Sequence, residues 1–590
     1  MKRIFKGLIN SIVLATALMA CTNDDADETI EPFNTNADFD FAVDFLTVTF
    51  TNNSSEPITE DQIEGYYSWD FGNGMTSSET NPTMAYDEFG SYTVTLTLAD
   101  GIAVSSQTIS VDPPVEDASS FAEIESLTIG GEGAAEISAY DAMRQQLFVV
   151  NNDGGSTIDV VDFSDPSNLS VIQSIDVTIY GGGVNSVAVY GDLLAAAIEA
   201  PDPTQNGVVV VWNLKSPVSN PLAVVTVGAL PDMVTFTPDG TYILVANEGE
   251  PDDDYLVDPE GSVSLIDTEN FLALTLGFSG FNSMVATLEA EAFRVFGPGA
   301  TLAQDVEPEY ITVSPDGSTA YVALQENNGL AIVDLASKTI SGIIPLGLKD
   351  YSTEGNEIDP SDEDGVYNPI SVPAFGMYQP DAIAAFEVGG DTYLISANEG
   401  DAREYEGIPG FVGEDRVGNV TLDPTEFPDA AALQMDQNLG RLKLTITNGD
   451  TDDDDDFDAI WSYGARSFSV WDGTSGALVW DSGNELEAQV NSAGLYDDDR
   501  SDDKGVEPEG AVVGYVSGSP IGFIGLERVD AVAVYDLSDP SEPTFLSLLE
   551  AGDAPEGLVF ISAAQSPTRR SLLVVSSEDD GTVKVYETQN

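Results

Sequence analysis

A decapeptide that recurs with few changes constrains the fold most: Pro231-Asp232-Met233-Val234-Thr235-Phe236-Thr237-Pro238-Asp239-Gly240 and Pro308-Glu309-Tyr310-Ile311-Thr312-Val313-Ser314-Pro315-Asp316-Gly317. An apolar run follows each copy, at residues 243–248 and 320–326, and then a run ending in aspartate, at 261–267 and 329–334. The pattern is strand, Pro-Asp-Gly turn, strand, loop, strand, then an outer strand such as residues 222–227. Four short antiparallel strands in a unit of roughly 45 residues describe a propeller blade. Anchors at Glu136, Asn185, Asp232, Glu309, Asp381, Glu509 and Glu556 predict seven blades, the fifth taking its third strand from Arg466-Ser467-Phe468-Ser469-Val470-Trp471-Asp472. An eighth unit around residues 441–447 is the alternative count. The last unit stops after a third strand at residues 582–587, so its outer strand is expected from residues 121–129, which seals the ring and removes free sheet edges.

Carboxylates keep step with this repeat. One set opens each unit at Glu136, Asp232, Glu309, Asp381, Glu509 and Glu556, with Asn185 as the exception. A second set closes the following strand at Glu199, Glu248, Glu326, Glu399, Glu527 and Glu578, with Asn152 as the exception. Consecutive antiparallel strands return the chain to the face where it started, so both sets are expected at one mouth. Gathered like charges repel unless a cation lies among them. The expected ligands of a hard divalent cation are therefore Asp232, Glu248, Glu309, Asp381, Glu399, Glu509, Glu527, Glu556 and Glu578, with Glu307 and Glu507 beside them.

Composition removes other chemistries. A net charge of −83 opposes nucleic acid and anionic lipid headgroups as ligands. Hydrophobic residues make up 42% of the chain and aromatics 9%, too much for a disordered acidic polymer, so most acids must coat folded domains. Histidine is absent, which excludes a Ser-His-Asp triad and imidazole-bound zinc or iron. Zinc, haem and nucleotide cofactors are not expected. Cys21 is the only cysteine, so neither an internal disulfide nor a thiolate cluster is possible.

Residues 1–20 read as an export signal, with Lys2, Arg3 and Lys6 ahead of an apolar stretch too short to span a bilayer. Leu18-Met19-Ala20-Cys21 resembles a lipobox, which implies cleavage before Cys21 and lipid on its sulfur; Thr22-Asn23-Asp24-Asp25 resembles the surface-export signal of Bacteroidota lipoproteins. The expected location is the outer membrane, lipid-anchored and facing the cell surface. Residues 21–32 are polar enough to be a tether. Residues 39–50 and 91–98 alternate at period 2. Between and after them Trp69-Asp70-Phe71-Gly72-Asn73-Gly74, Asn81-Pro82, Tyr86 and Gly90-Ser91-Tyr92 resemble a PKD domain, which implies an immunoglobulin-like sandwich over 33–112 with Trp69 and Tyr92 in its core. Residues 113–120 are expected to be a short stiff linker, and 121–590 the propeller. The fold class is thus all-β: a seven-bladed β-propeller preceded by a small immunoglobulin-like β-sandwich.

Two further features belong to the elaborated face. Asp450, Asp452, Asp454, Asp456 and Asp458 place a carboxylate at every second position, a donor set suited to calcium, which takes about six to eight oxygens. The plain alternative is a solvated acidic loop. Basic residues are scarce, yet Arg403, Arg416, Arg441, Lys443, Arg466, Arg500, Lys504 and Arg528 cluster in one part of the sequence. They read either as partners of neighbouring acids or as a cationic pocket for a phosphate ester or an acidic polysaccharide.

Gly376-Met377-Tyr378-Gln379-Pro380-Asp381, Ala397-Asn398-Glu399-Gly400-Asp401-Ala402-Arg403, Gly464-Ala465-Arg466-Ser467-Phe468-Ser469 and Arg500-Ser501-Asp502-Asp503-Lys504-Gly505-Val506-Glu507-Pro508-Glu509-Gly510 resemble the choice-of-anchor I family. So does Ala554-Pro555-Glu556-Gly557-Leu558, and the similarity runs over residues 121–590. Asp453 and Asp455 stand where the family has glycine. The resemblance implies a cell-surface or secreted propeller, with relatives that include surface glycoproteins linked to calcified skeletons and bacterial proteins labelled alkaline phosphatase. Two functions are expected: a calcium-binding surface protein that mediates adhesion or captures an extracellular ligand, or a calcium-dependent phosphoesterase. In the second, which resembles the chemistry of propeller phytases, Arg403, Arg466 and Lys504 would neutralise the leaving charge.

Overall fold

The computed structural model describes residues 36–55, 66–98, 103–216, 218, 220–403, 413–452 and 454–589. The export signal, Cys21 and Asp453 lie outside the described residues. The chain divides into two compact units, Met1–Asp112 and Pro113–Asn590.

The first unit is a pair of antiparallel sheets. Phe39–Asp44, Thr47–Asn52 and Thr83–Ala85 form one; Thr76–Ser77, Tyr67–Asp70, Gly90–Leu98 and Ala103–Val111 form the other. The alternating stretch at 39–50 is thus a hairpin, and its apolar residues Phe39, Val48 and Phe50 face inward with Trp69, Phe71, Val94 and Leu96. Trp69 is fully buried, its indole N–H donating to the Glu79 carbonyl at 2.9 Å. Tyr92 is only half-buried, stacked on Tyr86 at 4.0 Å, because its hydroxyl reaches out to the Glu88 carbonyl.

Among its described residues, the second unit contains seven four-stranded antiparallel sheets. Their first strands are Ala134–Asp141, Val184–Tyr190, Pro231–Phe236, Pro308–Val313, Ile383–Val388, Pro508–Val516 and Pro555–Ile561. Each first strand packs beside the next, and the seventh packs beside the first. The second strands are nearly all apolar and buried, as Tyr242–Asn247 and Thr319–Leu324 illustrate, since neighbouring sheets cover both of their faces. Ser467–Asp472 is the third strand of the fifth sheet, pairing with Asp391–Asn398. Ala122–Thr128 pairs antiparallel with Thr582–Glu587 and completes the seventh sheet from the other end of the unit. Residues 113–120 lie against this unit: the Glu116 carboxylate accepts from the Ser571 backbone N–H at 2.9 Å and the Ser571 hydroxyl at 2.7 Å.

Among the described residues, 441–447 build no eighth four-stranded sheet. Lys443–Thr445 pairs only with Glu414–Arg416, a two-stranded ribbon. That ribbon and the small sheet of Leu348–Asp350, Phe375–Met377 and Trp461–Ser462 belong to insertions around the fifth sheet, with their own core of Tyr351, Val372, Leu442, Leu444 and Ile460.

Candidate functional site

The strand register places the acids. Pro231 lies opposite Asn247, Pro308 opposite Leu324, Pro508 opposite Leu526 and Pro555 opposite Ser577, each pair followed by a register shift. Asp232, Glu309, Glu509 and Glu556 therefore sit in bulges at the start of a first strand, across from the end of a second strand, just beyond which Glu248, Glu326, Glu527 and Glu578 follow. A bulge re-aims the side chain it carries. Leu230, Gln379, Glu507 and Ala554, each directly before a proline, have φ of 46°, 42°, 47° and 55°. These left-handed residues cost energy at each entry to the site and bend the chain sharply into the strand. Both acid sets thus share one end of the sheets.

A cavity of about 260 Å³ is lined by Glu136, Asn185, Asp232, Tyr310, Gly510 and Glu556, one residue from each of six sheets, and by Asp381 just ahead of the first strand of the fifth, among others. Burial pushes the Glu136 carboxyl up to about 8, helped by Glu578 and Asp232, and that of Asp232 up to about 7, helped by Glu250. Burial, then neighbouring carboxylates, hold Glu248, Glu309, Asp381, Glu509 and Glu556 well above the ordinary range. One carboxylate oxygen each of Glu309, Glu326, Glu509 and Glu556 is buried without a hydrogen-bond donor. Such oxygens are costly unless protonated or bound to a cation, and their hard-donor chemistry fits calcium.

Elsewhere in the mouth the cations are side chains. Glu399, Glu507 and Glu527 converge, and Lys504 donates to Glu399 at 2.6 Å and lies 3.2 Å from Glu507. Arg500 and Arg528 also pair with Glu507. Burial raises the Glu507 carboxyl, but Lys504, Arg500 and Arg528 outweigh it and hold this group below its ordinary value. Glu527, farther from Lys504, is pushed up to about 8 by burial and Glu399.

The expected cationic pocket does not form from Arg403, Arg466 and Lys504. The Arg403 guanidinium is buried, donating to Glu307 at 2.9 Å, to the Asp305 carboxylate at 3.1 Å and to the Asp305 carbonyl at 2.7 Å. Arg466 is buried too, donating to Glu487 and to the carbonyls of Asp359, Ser501 and Asp503. Both hold inserted loops together. Lys504 borders a cleft with Lys443 and Arg500, and each already pairs with carboxylates. Glu307, bonded to Arg403, is a structural partner before it is a metal ligand.

In the acidic loop two groupings of oxygens form: Asp450, Asp452 and Asp458, and Asp456 and Asp458 with Asp423. Asp454 accepts from the Asp456 N–H at 3.3 Å and shapes the loop. Asp423 is invisible to the alternating pattern because it arrives from a separate segment. A further cluster of Asp359, Asp364 and Asp498 lies away from every position the repeat marks.

An all-β unit of serial four-stranded sheets with a carboxylate-lined mouth defines the class. The Choice-of-anchor I domain model matches residues 136–540, and the chain belongs to that family. A PKD domain model matches residues 35–113. The chain is 26% identical over 336 residues to the mesenchyme-specific cell surface glycoprotein of Strongylocentrotus purpuratus, which covers 48% of this chain and 43% of that protein. It is 30% identical over 189 residues to gigasin-3a of Magallana gigas, covering 26% of this chain and 66% of the relative. The chain thus spans less than two thirds of either relative. Among solved structures, the β-propeller domain of Cps50 (Swd1) from Myceliophteria thermophila aligns with 80% of this chain and all of its own, at 9% identity and a TM-score of 0.41.

Proposed function

We propose that this protein is a non-catalytic, calcium-binding surface protein that mediates adhesion or captures an extracellular ligand. Its seven sheets are the blades of a closed propeller, and its carboxylate mouth is the binding face. The observation that carries this is the set of buried, donor-less carboxylate oxygens of Glu309, Glu326, Glu509 and Glu556 at one end of the sheets. Calcium at the mouth would use these oxygens, with Asp232 and Asp381 between them, and the loop of Asp450, Asp452, Asp456 and Asp458 supplies a second donor set. A surface location is supported by family membership and by the name of the sea-urchin relative. No described helix is long and apolar enough to cross a membrane. Lipid on Cys21 is the proposed attachment to the outer membrane, with the PKD domain as spacer.

The phosphoesterase alternative loses two of its three cationic residues, because Arg403 and Arg466 are committed to protein acceptors. Calorimetric titration of metal-stripped protein with calcium tests the proposal. Binding heat and a higher melting temperature are expected. Absence of heat together with an unchanged melting temperature overturns it.

A further inference from the structure

We infer that Asp359, Asp364 and Asp498 form a separate calcium site, outside the carboxylate mouth and the acidic loop, that ties two inserted segments together. One oxygen from each lies within 4.8 Å of the others. That is about twice a calcium–oxygen bond length, so all three fit on the coordination sphere of one calcium ion.

The segments that deliver them are built around the same point. Asp359 follows Ile358, which bridges Ile370, so the chain between is a closed loop. Within it the Asn368 N–H donates to Asp359 Oδ2 at 2.7 Å, and the Asn368 amide to Asp364 Oδ2 at 3.1 Å. Gly365, at φ 72°, donates its N–H to Asp498 Oδ2 at 3.0 Å and so draws the second segment in. Asp498 begins the short helical turn Asp498–Arg500.

The independent pointer to a ligand is Asp359. It is wholly buried, and its Oδ1 has no hydrogen-bond donor. Asp498 Oδ1 is likewise buried without a donor. Arg466 donates to the Asp359 main-chain carbonyl rather than to its carboxylate and is paired with Glu487. Arg441, the other cation close by, is taken by Asp362. Among the described residues, no side-chain cation pairs with any of these three carboxylates.

The site carries its own reporter. The Tyr496 hydroxyl lies 3.3 Å from Asp359 Oδ2, and its ring is 4.8 Å from that of Tyr367. Terbium substituting for calcium here would be sensitised by Tyr496. Full-length protein is titrated with terbium and, separately, with calcium by equilibrium dialysis. Asp364→Asn, at an exposed position, and Asp498→Asn are expected to bind one calcium fewer per chain, or to weaken that ion on the order of tenfold or more, and to lose one step of terbium emission. Tyr496→Phe should dim that step while leaving the calcium count unchanged. Glu309→Gln with Glu556→Gln, which alters only the mouth, should leave the step intact, so failure at either place is told apart. Equal calcium counts in wild type and both aspartate variants overturn the inference. So does a terbium step lost in Asp364→Asn but undimmed by Tyr496→Phe.

Discussion

Arg403 illustrates what a single residue contributes when charge is buried. Its guanidinium spans Asp305 and Glu307, whose side chains are 0% and 2% exposed, and stacks over Phe296 at 4.6 Å. Desolvating three charges is expensive, and only the forked geometry, with several donors each finding an oxygen, offsets it. Arg403→Ala would strand two buried carboxylates and is expected to cost about 3–5 kcal/mol in denaturant unfolding. Arg403→Lys should recover less than half, because a point charge cannot reach both acids; full recovery by lysine would contradict the forked arrangement. The sequence signals Arg403 as a rare cation in a family motif but is silent on its partners, which lie far off along the chain. Asp359 was hidden for the same reason: its meaning comes from Asp498, brought near only by folding.

At the scale of elements, the repeat was legible because its punctuation is chemical. The Pro-Asp-Gly turn works twice in the same way: Thr237 donates to Asp239 at 2.7 Å and Ser314 to Asp316 at 2.7 Å, while the N–H two residues after each aspartate donates back at 2.9 Å. Gly240 and Gly317 then take φ of 68° and 71°. Their surroundings differ. A Cβ on Gly317 meets nothing nearer than Pro238 at 3.9 Å, whereas one on Gly240 would lie 2.0 Å from the Tyr190 ring. Gly317→Ala should therefore cost about 1–2 kcal/mol from backbone strain alone, and Gly240→Ala more, as thermal unfolding of the two variants would show. Equal losses would mean that the Tyr190 ring swings aside freely. The outer strand Ala122–Thr128 was legible too, since the last unit visibly lacks one. The insertions were not. Their short strands pair across long gaps, and Lys443–Thr445 resembles a strand of the repeat locally while serving a two-stranded ribbon.

For the whole molecule, the convergence of acids makes stability a function of pH and, with calcium at the mouth as proposed, of calcium too. Burial and neighbouring carboxylates push Glu136 and Glu527 up to about 8 and Asp232 up to about 7, whereas in the unfolded chain each returns to roughly 4. Between those limits the folded state holds protons that the unfolded state has released. Stability must then fall as pH rises from about 4 to about 8 and level off beyond, where the penalty of the charged mouth is complete. Under the proposed calcium binding the ion takes the deprotonated carboxylates, so its affinity, and the stabilisation it confers, should grow across the same interval. Melting temperatures in a chelator are expected to decline between about pH 4 and pH 8, and the increment from added calcium to be larger at about pH 8 than at about pH 6. Glu556→Gln, which removes one buried charge, should melt higher than wild type at alkaline pH in the chelator, by roughly 1–3 kcal/mol, and lower than wild type once calcium is present. That crossing of order cannot arise from a solvated acidic surface, for which the substitution would be neutral in both conditions. A flat chelator profile with no crossing would show that the acids at the mouth neither bury their charge nor gather a cation.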